Sequence, residues 1–248
     1  MIWRNSDSLT AAVKVPAAVF FLFLSGPALL GQALSVLPVN IFFSPGQKAT
    51  SLTVTNQGDK ETAIQIRAYS WSQKENDDPL TATGDVVLSP PLARIAPGAS
   101  QLVRLILRQS PVDREATYRI LIDQIPPPAE PGVVHMVLRL SIPIFVKPAA
   151  RIFPDVTFHL ERDAGQIFLV ASNAGLLHEV IRNVELTASD GRKLKPNSSI
   201  SPYVLSGAKR RWQITAQDSL PLTSESLQLT AHSDAGAIDQ QVSFVPAR

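Results

Sequence analysis

The sequence predicts an all-β protein built from two sandwich domains. Three observations carry that expectation. Apolar and polar residues alternate with period two along most of the chain after Ala33. Clusters of Asn, Asp, Gly and Pro interrupt the alternation at short intervals, as they do between the strands of sandwiches and barrels. Beyond the N-terminal segment, no stretch carries the 3.6-residue stripe of an amphipathic helix.

The N-terminus reads as an export signal. Arg4 and Lys14 provide positive charge ahead of an apolar run over residues 15–30, and Gly31-Gln32-Ala33 places small residues where a signal peptidase reads them. Residues 1–33 are therefore expected to be a signal peptide cleaved after Ala33. Gly26-Pro27 interrupts the run, no stop-transfer cluster follows it, and no later stretch is long enough to span a bilayer, so no membrane insertion of the mature chain is expected.

A first domain is expected over residues 34–148. Residues 51–55 alternate, as do 63–71 with Ile64, Ile66 and Ala68 on one face, and 101–107 and 118–125 read as further strands. Turns are expected at 56–59, 76–79, 96–98 and 125–128.

The seventh strand, residues 133–146, is long for a strand. One parity holds Val134, Met136, Leu138, Leu140, Ile142 and Ile144, all apolar; the other holds His135, Arg139, Ser141 and Pro143. Proline has no backbone N–H, so Pro143 marks an edge strand or one that changes partners along its length. An apolar edge is normally an aggregation hazard. Two readings stay open: both faces are partly buried within one sandwich, or the edge exists to pair with another chain.

Lys147-Pro148-Ala149-Ala150 is a stiff link, and a second sandwich of roughly a hundred residues, 149–248, is expected after it, a size that suits the immunoglobulin-like fold. Its strand candidates are 156–160, 166–170, 180–186, 211–214, 227–231 and 241–245, with turns at 173–175, 189–191 and 233–236.

Composition narrows the function. There are 0 cysteines, which excludes thiolate metal sites, thiol catalysis and disulfides. A formal charge of +2 is too small for a general nucleic-acid or membrane-surface binder. His135, His159, His178 and His232 are scattered at no metal-ligand spacing. There is no Gly-rich phosphate loop and no Gly-x-Ser-x-Gly elbow, and Asp77-Asp78 reads as a solvated loop. No catalytic residue, metal or cofactor is expected, and the chain does not read as an enzyme.

A set of segments then points to a family. They are Leu52-Thr53-Val54-Thr55-Asn56; Ser89-Pro90-Pro91-Leu92-Ala93-Arg94-Ile95-Ala96-Pro97-Gly98; Val103-Arg104-Leu105; Asp113-Arg114-Glu115-Ala116-Thr117-Tyr118-Arg119; Gln124-Ile125-Pro126; and Ile142-Pro143-Ile144-Phe145-Val146-Lys147-Pro148. In this order, after a signal peptide, the chain resembles the periplasmic pilus (fimbrial) chaperones of the chaperone–usher pathway. That resemblance implies two immunoglobulin-like sandwiches in an L-shaped arrangement. It implies a chaperone that lends its seventh strand to pilus subunits lacking one and delivers them to an outer-membrane usher. Val134, Met136 and Leu138 would be the inserted row, with Leu140 continuing it.

The sequence also departs from the best-studied branch. The two basic residues that anchor a subunit's C-terminal carboxylate there fall near Asn40 and at Pro143 here. The Tyr118-Arg119 pair and residues 142–146 look instead like the archaic, spore-coat-like branch. Arg119 becomes the leading carboxylate anchor and Arg139 the second candidate. The family's interdomain ion network maps onto Lys147, Asp234 and Gln124, reduced because Gln124 is not acidic. A self-capping homodimer is a further expectation from the exposed edge. The competing reading is a secreted, two-domain binding or adhesin-like protein that would use loops at the sandwich ends.

Overall fold

The computed structural model describes residues 34–74, 77–128, 131–132, 136–197, 201–216 and 226–245. Among these, the regular structure is all β.

The first half holds β1 (Leu34–Leu37), β2 (Ile41–Phe43), β3 (Ala49–Asn56), β4 (Thr62–Trp71), β5 (Leu80–Ala82), β6 (Val86–Ser89), β7 (Leu92–Ile95), β8 (Ser100–Leu107), β9 (Ala116–Ile125) and β10 (Arg139–Val146). One sheet runs β1-β3-β8-β6; the other runs β2-β10-β9-β4-β5, with β7 also paired to β4. The period-two alternation explains why the two sheets stack. Leu52, Val54, Val103 and Leu105 project from the first sheet onto Ile64, Ile66, Ile120, Ile122, Ile142 and Ile144 of the second, and all ten are buried in one cluster.

The second half holds β11 (Val156–Asp163), β12 (Gln166–Asn173), β13 (Glu179–Val180), β14 (Arg182–Thr187), β15 (Lys193–Pro196), β16 (Tyr203–Val204), β17 (Lys209–Ala216), β18 (Ser226–Ser233) and β19 (Gly236–Ser243). Its main sheet runs β11-β12-β17-β15-β14-β18-β19, and β13 and β16 pair separately. The sheet curls until its first and last strands meet: Leu160 bridges Phe244, and Val245 N donates to Leu160 O at 3.0 Å. A separate core around Leu160, Leu169, Leu186, Trp212, Leu229 and Val242 fills the interior.

Two strand expectations change. Residues 180–186, expected as one strand, are two: β13 joins β16, β14 joins β15 and β18, and Ile181 N donates to Pro202 O between them. Asn183 has φ +53°, and the β14–β18 register shifts between Arg182 and Glu185. An asparagine in the left-handed region suits a bulge in the β14–β18 ladder, just after the chain has passed from one sheet to the other at Ile181. Second, the strand expected over 133–146 begins at Arg139; Met136, Val137 and Leu138 lie ahead of it, outside the strand, and Val134 falls outside the described residues.

Candidate functional site

β10 is a strand of two halves. Its end, Ile144, Phe145 and Val146, pairs in parallel with Ile41, Phe42 and Phe43 of β2 on one side and antiparallel with β9 on the other. Among the described residues, the stretch from Arg139 to Pro143 has register partners on β9 alone. Gln124 N donates to Leu138 O at 2.9 Å, and Lys147 N to Phe43 O at 3.2 Å. Because backbone groups alternate sides along a strand, Leu138, Leu140 and Ile142 aim theirs at β9. Arg139, Ser141 and Pro143 aim theirs outward. Pro143 therefore lacks its N–H on the open side, where β9 has no need of it.

Side chains follow the same two-fold alternation. Leu140, Ile142, Ile144 and Val146 face the sandwich core, Leu140 only partly buried at its margin. The row continues past the core into Leu138, 39% exposed, and Met136, 89% exposed. Gln124 holds this stretch in place: its side chain is buried, donates to Thr62 Oγ1 at 3.0 Å and accepts from Leu138 N at 3.2 Å.

The opposite face of the sheet carries the charged candidates. Arg139 donates from Nε to Asp123 Oδ1, and Arg67 donates to the other oxygen of Asp123 at 2.6 Å. Burial alone would raise the Asp123 pKa, but hydrogen bonds from Arg139 and Arg67 bring it below the ordinary carboxylate value. Arg139 thus already has an acid.

Arg119, the register partner of Pro143, has none among the described residues. Its Nη1 donates to Ser141 Oγ at 3.1 Å, its guanidinium carbon lies 3.9 Å from the centre of the Trp71 ring, and its Nε is buried without a partner. Burial lowers its pKa. Cation–π contact places the guanidinium without neutralising it.

Around Arg119 the two sandwiches meet. Trp71 Nε1 donates to Asp78 Oδ1 at 3.0 Å, and Nη2 of the fully buried Arg210, on β17, lies 3.0 and 2.9 Å from the two oxygens of Asp78. Gln73 donates to Tyr203 O at 2.9 Å and accepts from Leu205 N at 2.8 Å; Tyr203 donates from its hydroxyl to Asn40 Oδ1 at 3.0 Å. Phe145 stacks on His178 with ring centroids 3.7 Å apart, and His178 Nδ1 is 2.7 Å from the buried Glu115 carboxylate.

Residues 33–151 match the model of the family described as pili and flagellar-assembly chaperone, PapD N-terminal domain. Over those residues the chain is similar to this chaperone domain. It is 30% identical to the chaperone protein PapD of Escherichia coli over 142 residues, covering 55% of this chain and 57% of that protein. It is 34% identical to the fimbrial chaperone YbgP of Escherichia coli over 131 residues, covering 49% and 52%. The chain thus spans about half the length of the curated relatives it matches. Among solved structures, a chain of the CsuC–CsuE chaperone–tip adhesion subunit complex, from the archaic chaperone-usher Csu pili of Acinetobacter baumannii, superposes with TM-score 0.62 at 20% identity. That match covers 87% of this chain and 100% of that one. The Escherichia coli chaperone DraB superposes with TM-score 0.56 at 21% identity, covering 88% and 97%. These likenesses establish the two-domain, immunoglobulin-like chaperone fold.

Within this fold the expected residues fall into separate places. Met136, Leu138 and Leu140 form one row, and Arg119 and Arg139 share the other face. The expected interdomain trio does not come together: Gln124 bonds within the first sandwich, and Asp234 pairs with Arg182 at 2.7 Å within the second. Among the described residues no ion pair joins Lys147 to Asp234. The polar joint is made instead by Gln73, Asp78, Glu115, His178, Tyr203 and Arg210. Asp78, expected in a solvated loop, is one of its centres. Arg210 and Asp78 stand 132 positions apart in sequence, and no spacing rule connects the set.

Proposed function

We propose that the chain is a non-enzymatic periplasmic chaperone that captures pilus subunits by donating the edge of β10, and hands them to an outer-membrane usher. The observation that carries this reading is the apolar row that starts in the core at Val146, runs along β10 and continues past its first residue to the exposed Leu138 and Met136, with the outer edge of β10 open between Arg139 and Ser141 among the described residues. A subunit lacking its last strand has the complementary defect, an apolar groove with unpaired backbone groups. Each side chain of the row that becomes fully buried contributes about 1.5–3 kcal/mol, and the flexible thioether of Met136 suits pockets of differing shape. Val134 would extend the row.

Arg119 is the proposed anchor for the subunit's C-terminal carboxylate, supported by its lack of an acidic partner; Arg139, held by Asp123, is the weaker candidate. Asn40 and Pro143 at the two positions that are basic in the best-studied branch support placement in the archaic branch. Residues 1–33 are the proposed signal peptide, with the sandwiches at 34–148 and 149–248. An edge of this kind also favours a self-capping homodimer before a subunit arrives.

The test is co-expression with a pilus subunit of the same pathway, followed by co-purification from the periplasm. Leu138→Asp is expected to abolish the complex while leaving the thermal melt of the chaperone unchanged. Undiminished co-purification by that variant would overturn the reading.

A further inference from the structure

The arrangement around Asp78 solves an electrostatic problem that the anchor reading creates. Arg119 can take a ligand carboxylate only if no internal carboxylate takes it first. Asp78 is the acid placed to do so. It sits at the edge of the indole whose face Arg119 covers, and it attracts the Arg119 charge while Arg210 repels it. Yet both oxygens of Asp78 are engaged. Trp71 Nε1 donates to one oxygen, and Arg210 Nη2 lies within 3.0 Å of both. Arg210 is 0% exposed and reaches Asp78 from the other sandwich. In a site with reduced solvent screening, such a pair removes most of the field of Asp78 from its neighbours.

We propose that Arg210 is a positioning residue of subunit capture: it holds Asp78 against Trp71 and so keeps Arg119 open for the incoming carboxylate. The inference rests on the reading of Arg119 as the anchor. Through it the second sandwich governs the carboxylate site of the first without contacting the ligand. It also accounts for the orphaned Nε of Arg119. A guanidinium paired with an internal acid would have satisfied that donor; one kept for a ligand leaves it waiting.

The test uses the full chain and two probes: a soluble nine-residue peptide of alternating valine and threonine with a lysine at its start, ending in a free carboxylate, and the same peptide ending in an amide. The wild type is expected to prefer the carboxylate form by about ten-fold or more, the range of a hydrogen bond to a charged group. Arg119→Gln should equalise the two. Arg210→Met should equalise them too, because Asp78 is released to pair with Arg119. The double variant Asp78→Asn/Arg210→Met should restore the preference, which a purely structural role of Arg210 would not. If Arg210→Met fails to fold, Arg210→Gln keeps the stem and a donor to Asp78 while removing the charge, and the preference should shrink. A wild-type preference that persists in Arg210→Met, or in Arg210→Gln when that is the folded variant, overturns the inference alone. So does a double variant that binds both peptides equally. Equal binding by the wild type overturns the anchor reading and the inference with it.

Discussion

The two halves of β10 share one strand and one alternation, yet they meet opposite fates. At Ile144, Phe145 and Val146 both edges are paired and both faces are covered: Ile144 and Val146 by the first core, Phe145 by Trp71, His178 and Tyr203. Between Met136 and Ser141 the same alternation runs out of the core, with one edge open and its apolar side chains reaching solvent. A strand's apolar row is therefore not by itself evidence of a core. Burial depends on which neighbours extend as far as the row does, and here β2 stops short. The second sandwich shows the ordinary outcome, in which the sheet curls until Leu160 meets Phe244.

This contrast can be broken or sharpened by substitution along the strand. The largest effect is expected at the root. Phe145→Ala should cost about 3–5 kcal/mol of stability, the usual loss for a buried aromatic, read from denaturant unfolding; a loss below about 1 kcal/mol would mean that Phe145 is not the joint it resembles. Gln124→Ala removes the side chain that accepts from Leu138 N, and should cost about 1 kcal/mol while speeding hydrogen exchange at the Leu138 amide. Met136→Ala should leave stability within about 0.5 kcal/mol of the wild type but weaken subunit capture. A destabilised Met136→Ala would place that side chain in the core and erase the contrast.

The smallest effect is on pH. The Asp123 pKa lies below its ordinary value in the folded chain. Its ion pairs with Arg67 and Arg139 therefore contribute above the ordinary carboxylate pKa of about 4, and the contribution is lost as pH falls through the folded value. The arginine partners are exposed although the Asp123 side chain is mostly covered, so solvent screens the pairs and a slight acid-side loss of melting temperature is expected, one that disappears in Asp123→Asn.

The legible parts of the fold were those that local alternation specifies. Ile64, Ile66 and Ala68 announced β4, and Pro143 announced an edge. The break at Ile181 was hidden because 180–186 looks like one strand until two different partners claim its ends. Met136 and Leu138 were legible as a row but not as exposed. Arg119 stood out only through the family pattern. Its surroundings were hidden altogether: Asp78 beside Asp77 looked like loop chemistry, and nothing local to Arg210 distinguishes a buried arginine from an exposed one on a strand. Lone Trp71 at a strand end was the available hint, since a buried indole needs a partner for its N–H.

Pro143 gives the open edge a built-in ruler. A strand laid along β10 can exchange backbone bonds at Arg139 and Ser141, but Pro143 offers it no donor, and the parallel register of Ile144 with Ile41 gives the Pro143 carbonyl to β2. A strand added under the proposed function would end there. Arg119 is the residue directly across from Pro143, so the place where the guest runs out of ladder is also the place where its terminal charge would be received. On the proposed reading of Arg119 as the anchor, stop and anchor coincide. On that reading, a guest strand shifted by two residues would either overrun β2 or leave its carboxylate short of Arg119, and the edge would measure its guest from the end.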